Sequence, residues 1–199
     1  MLIEIEGIDF AGKTTQCGLL LEFLRRSRGI NAIILKELTS TELGAKLREL
    51  LVSRVPRDAK AEVFSFLAAK AQLYAQVVVP ALAEGKYVIA DRGSLSFLSY
   101  HHISAGMDIA TLREMMDIAT GSVRPNITIV LDVPVEVTAA RMNHRNDLSV
   151  FDKKGEGFFA AQRRVFRNLC GSLPRCVLID GSLSIKEVHA RVRPIIEGL

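Results

Sequence analysis

This 199-residue chain predicts a parallel α/β fold, a sheet with helices on both faces. Three observations carry the prediction. Short apolar runs recur between longer helical stretches. The runs are nearly unbroken Val, Ile and Leu instead of alternating with polar residues, as expected of strands covered on both sides. The first run leads straight into a glycine-rich turn and then a helical stretch. In such a sheet, ligands are expected beyond the carboxyl ends of the strands.

Residues 2–6 read as a buried strand and 13–28 as the helix after the turn. A second strand is expected at 32–35, then helices at 42–53 and 58–84. Asp58 is placed to cap the latter and Gly85 to end it, after a break near Pro80. The remaining strands are expected at 87–90, 127–131 and 177–179. The remaining helices are expected at 96–105, 109–119, 135–145, 154–170 and 185–197. Residues 144–154 show weak periodicity and read as an excursion between two helices.

Nearly half the residues are apolar, at 49%, without eighteen uninterrupted apolar residues in a row. A single soluble domain over 1–199 is expected, with no leader peptide, no membrane partner and a cytoplasmic location. Cys17, Cys170 and Cys176 have neither zinc-ligand spacing nor a disulfide framework, so they read as small buried side chains in a reducing compartment. The net charge of +4 is concentrated: residues 141–167 hold seven Lys/Arg against three acids, and the rest of the chain is balanced. A local basic segment suits a small polyanion. No basic–aromatic repeat points to a nucleic-acid partner.

The chemistry starts at Gly7-Ile8-Asp9-Phe10-Ala11-Gly12-Lys13-Thr14, which spells G-x-x-x-x-G-K-T between a strand and a helix. Bends at the two glycines turn successive N–H groups toward phosphate oxygens, and the following helix aims its positive end at the same anion. Lys13 adds a charge for the β/γ-phosphates and Thr14 a hydroxyl for Mg²⁺. Gly7, Asp9, Phe10, Ala11, Gly12, Lys13, Thr14 and Thr15 are thus the expected cradle of ATP. A second constellation, Asp91-Arg92, closes the third strand. The carboxylate can help organise Mg²⁺. The arginine stands where hydrolytic motors carry a glutamate; it cannot act as a base but can grip a second phosphate in two-pronged fashion. A surface ion pair is the alternative for Arg92. Third, Arg141 and Arg145 lie one helical turn apart before Lys153 and Lys154, so a closing segment could bring positive charge to a migrating phosphoryl group.

On these residues the chain resembles the thymidylate kinases, a branch of the P-loop nucleoside monophosphate kinases. The resemblance extends through Lys36-Glu37, 47–51, 66–72, Asp91-Arg92, 131–141 and 179–182. It implies a P-loop NTPase three-layer fold with a five-stranded parallel sheet flanked by helices and a short lid at about 142–154. It also implies a homodimer and MgATP-dependent phosphorylation of dTMP to dTDP. By the same resemblance, Asp9 meets the acceptor sugar, Phe66 stacks on the base, and Arg92 and Arg48 hold the acceptor phosphate region. Glu37 lies near the metal and acceptor, Tyr100 crowds the sugar 2′ position, and Arg145, or else Arg141, is the lid arginine with Lys153 as companion. The departures cluster at the acceptor base. Leu38 stands where the family has proline, and Lys70 where it has the arginine that donates to thymine. Gly93 replaces a tyrosine, Phe97 a small polar residue and His101 a Gln or Ser. Two alternatives therefore stay open: a kinase for a modified or different nucleoside monophosphate, and a nucleotide-binding regulator with little transfer. His101-His102 read as helix-end or site-edge residues, not as metal ligands. Asp132 reads as a turn or cap residue before Pro134, or as a catalytic one.

Overall fold

All five apolar runs are strands of one parallel sheet. They are β1 (Leu2–Glu6), β2 (Ala32–Lys36), β3 (Tyr87–Asp91), β4 (Ile127–Asp132) and β5 (Cys176–Asp180), in the spatial order β2-β3-β1-β4-β5. The computed structural model of the chain describes residues 1–53, 55–143 and 150–199. β1 occupies the centre with every residue buried: Ile3 and Ile5 make one face wholly apolar, and the other carries Leu2 with the two acids Glu4 and Glu6. Its register sets the geometry of everything that follows. Ile5 pairs with Asp91 on one side and Glu6 with Val130 on the other, so β1 and β3 end within a residue of each other while β4 runs two residues further, to Asp132.

The helices are α1 (Lys13–Glu22), α2 (Glu42–Val52), α3 (Ala59–Leu73), α4 (Val79–Ala83), α5 (Ser94–Ala105), α6 (Ile109–Thr120), α7 (Val135–Met142), α8 (Glu156–Ser172) and α9 (Ile185–Glu197). Two expected helices contain π-helical turns. Phe23–Ser27 continues α1, and Tyr74–Val78 joins α3 to α4. The expected break near Pro80 is absent: the helical run continues to Ala83, and Pro80 follows directly on the π-helical turn Tyr74–Val78, where the regular hydrogen-bond ladder is already altered. The run Ala59–Ala83 is long and apolar enough, by length and composition, to cross a membrane. Here its Val63, Leu67, Leu73 and Val78 lie buried in the core. Asp58 does cap α3, accepting from the Lys60 N–H.

The main core joins Ile3, Ile5, Ile89 and Ile129 of the sheet to Leu20, Leu24, Leu112, Phe166 and Val192 of the helices. A second cluster seats Leu73, Tyr74 and Val78 on Leu2, Leu35 and Val88. Each such side chain stabilises the fold by about 1.5–3 kcal/mol on burial. One cysteine expectation is overturned. Cys170 and Cys176 form a disulfide, with Cα atoms 5.1 Å apart, because the chain folds back from the end of α8 to the start of β5 within six residues. Cys17 alone remains a free, buried thiol.

The central strand also carries two buried carboxylates, Glu4 and Glu6. Glu6 accepts from the Gly93 N–H at 2.9 Å, the Ser96 N–H at 2.8 Å and the Ser96 hydroxyl. Glu4 accepts from the Ser94 N–H at 3.0 Å and its hydroxyl at 2.7 Å. These bonds satisfy orphan N–H groups in the first turn of α5, which is why that helix starts at Ser94, two residues before the expected position. They also explain Gly93. A Cβ there would lie 2.1 Å from the Glu4 carboxyl carbon, so a side chain at 93 and the Glu4 carboxylate in this position compete for the same space. Gly93→Ala is expected to cost about 1–3 kcal/mol through overpacking. In urea unfolding, adding Glu4→Ala to Gly93→Ala should cost less than the two single changes together; strict additivity would show that the two positions are not in steric conflict.

Candidate active site

At the carboxyl ends of β1 and β3 the chain encloses a cavity of about 810 Å³. Gly7 to Gly12 form the turn after β1. Gly7 has φ +137° and a Cβ there would lie 2.6 Å from the Leu131 carbonyl oxygen, so only glycine fits. Phe10 and Gly12 also have positive φ, and the turn passes directly into α1. Asp9 through Thr15 all line the cavity. The first-turn N–H groups of α1 thus face a space built for an anion. Lys13 is buried, and its ammonium donates to the carbonyls of Gly7 at 2.9 Å and Ile8 at 2.7 Å.

Parallel pairing brings the second constellation alongside. The Arg92 N–H continues the β1–β3 ladder by donating to the Ile5 carbonyl at 3.1 Å. Arg92 itself holds φ +80°, a left-handed conformation unusual for a side-chain-bearing residue. The guanidinium meets the Asp9 carboxylate across the cavity. Next to it, the Thr14 hydroxyl donates to the Asp91 carboxylate at 2.6 Å. The alternative of an Arg92 ion pair thus holds in a specific form: the pair exists, but inside the cavity, and its acid belongs to the phosphate-binding turn.

The electrostatics follow from crowding. Burial alone would raise the Asp9 pKa, but Arg92 and Lys13 hold it below the ordinary carboxylate range. Burial and the neighbouring Arg92 charge lower Lys13 to about 8, against the pull of Asp9 and Asp91. Burial opposes the Arg92 charge too, yet Asp9, Glu6 and Asp91 together raise its pKa. Burial and the nearby Glu4 push Glu6 up to about 7, with Ser96 working the other way.

The opposite end of the cavity is aromatic. Phe66 of α3 packs against Tyr100 and His101 of α5, with ring centroids 6.2 Å and 5.0 Å away. Phe151 lies over both Phe66 and Tyr100, at 6.0 Å and 5.8 Å. Lys154 places its ammonium 5.3 Å from the Tyr100 ring centroid. Burial, then the Glu62 carboxylate facing it, raises the Tyr100 phenol. Arg48 of α2 and Glu37 after β2 complete this wall.

These features agree with the relatives the chain has. Residues 5–192 match the family model described as "Thymidylate kinase". The chain belongs to the thymidylate kinase family. It is 36% identical over 192 residues to a thymidylate kinase of Fervidobacterium nodosum, covering 96% of each chain. It is 37% identical to one of Trichormus variabilis, covering 98% of this chain and 94% of the relative. The crystal structure of thymidylate kinase from Ehrlichia chaffeensis superposes with a TM-score of 0.80 at 29% identity, over 99% of this chain and 98% of that one.

Within this family frame several expected residues have other occupations. Lys70 is buried, is not part of the main cavity wall and pairs with Glu37, Nζ to Oε1 at 2.5 Å. Burial opposes the Lys70 charge, but Glu37 more than offsets it and the pKa is raised. Arg141 donates to the carbonyls of Phe10 at 3.1 Å and Gly181 at 3.0 Å, bracing the phosphate-binding turn against the β5–α9 loop. Asp132 neither caps α7 nor enters the cavity wall; it accepts from Arg163 at 2.6 Å and Arg167 at 3.0 Å and so fixes α8. Arg145 and the rest of 144–149 in the expected lid lie outside the described residues, as does the Lys153 side chain. Sequence reasoning missed Glu4, Glu6, Phe151, Phe158 and Gln162. Two acids spaced i, i+2 in an otherwise apolar strand were the available signal for the first pair.

Lys13 generates a pH prediction. Its charge is lost as pH rises through about 8 in the free protein, and a bound triphosphate restores it. Affinity for ATP measured by calorimetry is expected to fall up to about tenfold per pH unit above that point. Constant affinity between pH 7 and 9 would contradict the assigned environment.

Proposed function

We propose that residues 1–199 act as one kinase domain that transfers the γ-phosphoryl group of ATP to the phosphate of a pyrimidine deoxynucleoside monophosphate, with dTMP, giving dTDP, as the first acceptor. Family membership supports the reaction class. The observation that carries the reading is the juxtaposition of two anion-holding groups, the Gly7–Thr14 turn with Lys13 and the guanidinium of Arg92, on neighbouring strand ends that open on one cavity.

In this reading Lys13 and the turn amides exchange their intramolecular partners for the β/γ-phosphates of ATP. Arg92 keeps its charge at all working pH and orients the acceptor phosphate. Asp9, between the two, spaces the cations and faces the acceptor sugar. Phe66 stacks on the base, Tyr100 crowds the 2′ position, and Arg48 and Glu37 close the wall around them. The attacking oxygen of the acceptor phosphate is already ionised near neutral pH, so positioning replaces a general base. It forms a bond to the γ-phosphorus as the bond to the ADP oxygen breaks. Arg145 of the lid, with Lys153, would add charge on the migrating group and exclude water.

Among the described residues no group of three His, Cys, Asp or Glu could hold a metal by itself. Thr14 and Asp91 fit Mg²⁺ in the manner that ion prefers, as two hard oxygen donors completed by phosphate oxygens and water. Bound there, it would neutralise phosphate charge. A homodimer in the cytoplasm is part of the proposal. α3 and α6 pack together, and each leaves a large apolar side chain in solvent, Phe64 at 61% and Ile118 at 85% exposure.

ADP release measured over a panel of nucleoside monophosphates tests the reaction. Release should depend on the acceptor and be fastest with dTMP; release that ignores the acceptor would leave only an ATPase, and ATP binding without release a regulator. Lys13→Ala should lower kcat by about 10²–10³-fold. Phe66→Ala should raise the acceptor KM roughly tenfold and leave the ATP KM unchanged. A selective loss of ATP binding in that variant would contradict the assigned role.

A further inference from the structure

The Cys170–Cys176 bridge lies away from the cavity wall, and no step of the proposed transfer uses it. It joins two elements that need holding. β5 is an edge strand, laddered to β4 alone, and it opens at Cys176 opposite Thr128. α8 ends at Ser172, so Cys170 stands in its last turn, where helices fray. Such margins open first when a fold loosens. In the cytoplasm proposed above, thiols are kept reduced and a disulfide that forms is ordinarily transient.

The two sulfurs are unequally placed. Cys170 is 4% exposed and belongs to the main core, whereas Cys176 is half-buried at its margin. An exchanging thiol therefore meets Cys176 first, and Cys170 is the sulfur that leaves. The surrounding packing does not depend on the bridge. The β4–β5 ladder fixes Cys176, and Asp132 holds α8 through Arg163 at 2.6 Å and Arg167 at 3.0 Å. With the Cα atoms kept near their 5.1 Å separation, an opened pair is poised to close again.

We propose that Cys170 and Cys176 form a reversible thiol–disulfide site, closed by a small-molecule disulfide and opened by a dithiol. Its state sets how firmly the fold resists unfolding and leaves nucleotide binding unchanged. In closing, the Cys176 thiolate attacks one sulfur of the small disulfide; that S–S bond breaks and one small thiol leaves. The Cys170 thiolate then attacks the Cys176 sulfur of the mixed disulfide and expels the second small thiol. Two electrons pass from the cysteine pair to the small disulfide, and the two cysteine protons end on the two thiols released. Opening is the reverse exchange, with the dithiol leaving as a cyclic disulfide. Asp132 insulates the cavity from this chemistry. Phe158 and Gln162 line the cavity from the first half of α8, Phe158 lies about 18 Å along the helix from Cys170, and the Arg163 and Arg167 pairs hold the helix between.

The test uses the full chain under native conditions, treated with oxidised glutathione or with dithiothreitol, then denatured and alkylated for mass spectrometry. Oxidation should leave Cys17 as the one alkylated cysteine, and reduction should expose all three. The oxidised protein should melt roughly 5 °C above the reduced one. ATP affinity measured by calorimetry should be the same in both. Cys170→Ala should stop at the mixed disulfide, gaining one glutathione on Cys176. Cys176→Ser should gain none, because Cys170 is buried, and both variants should lose the melting difference. Three alkylated cysteines after oxidation overturn the pairing, and a bridge that dithiothreitol opens only on unfolding overturns its reversibility. Equal melting of the two states overturns the stabilising role. A redox-dependent ATP affinity overturns the insulation by Asp132, and a glutathione on Cys170 in Cys176→Ser overturns the order of attack.

Discussion

Glu6 ties the two halves of the site together. Its carboxylate sits in the middle of the sheet and accepts from the backbone of Gly93 and Ser96, so the strand that carries the phosphate-binding turn also fixes the first turn of α5. Arg92 lies between those anchors and the end of β3. With the Ile5 carbonyl holding its own N–H and Glu6 holding the next one, the residue has little choice but its left-handed conformation. That conformation directs the guanidinium across the cavity to Asp9. The desolvated carboxylate is costly, as its pKa near 7 indicates, but it converts a flexible strand-to-helix junction into a fixed mount for a cation.

The same economy of charge governs the space in front of it. Two cations, Lys13 and Arg92, face the cavity together with Asp9 and Asp91, so these four charges balance. Each cation has a temporary partner within the protein: loop carbonyls for Lys13, a carboxylate for Arg92. Phosphates entering the site exchange with these partners and do not meet bare, fully hydrated charge. The arrangement keeps the cations placed before substrate arrives, which is the larger part of what positioning can contribute to phosphoryl transfer.

The fold was legible because it depends on hydrophobic period and on one motif. The unbroken apolar runs gave every strand to within two residues, and G-x-x-x-x-G-K-T located the loop without reference to any contact. Asp91-Arg92 was legible for a different reason: it ends a strand, and parallel strands end together. The acceptor half was less so. Lys70 and His101 stand on neighbouring helices, and nothing in their spacing says that one is tied to Glu37 while the other is buried among Phe66, Phe97 and Tyr100. The Cys170–Cys176 bridge escaped because five intervening residues are compatible with a turn or with divergence, and only the packing of α8 against β5 brings the sulfurs together. Glu4 was hidden by its setting, since an acid in a buried strand has no sequence-level sign of the helix end it caps.

Read as pairs, the departures from the family pattern lose their appearance of scattered drift. Glu4 takes up the room that a side chain at 93 would need, and Gly93 leaves it. Lys70 is held in an ion pair with Glu37 instead of on the cavity wall, and the wall that remains there is largely aromatic. Each pair closes its own steric or electrostatic account, so neither disturbs the strand register that aligns Lys13 with Arg92. The donor half can therefore stay fixed while the acceptor half is refashioned. The physical basis is that β1, the Arg92–Asp9 contact, the Thr14–Asp91 bond and the Glu6 anchor join the two halves away from the aromatic wall. A change that respects these is free to alter which base is admitted without altering how phosphate is moved.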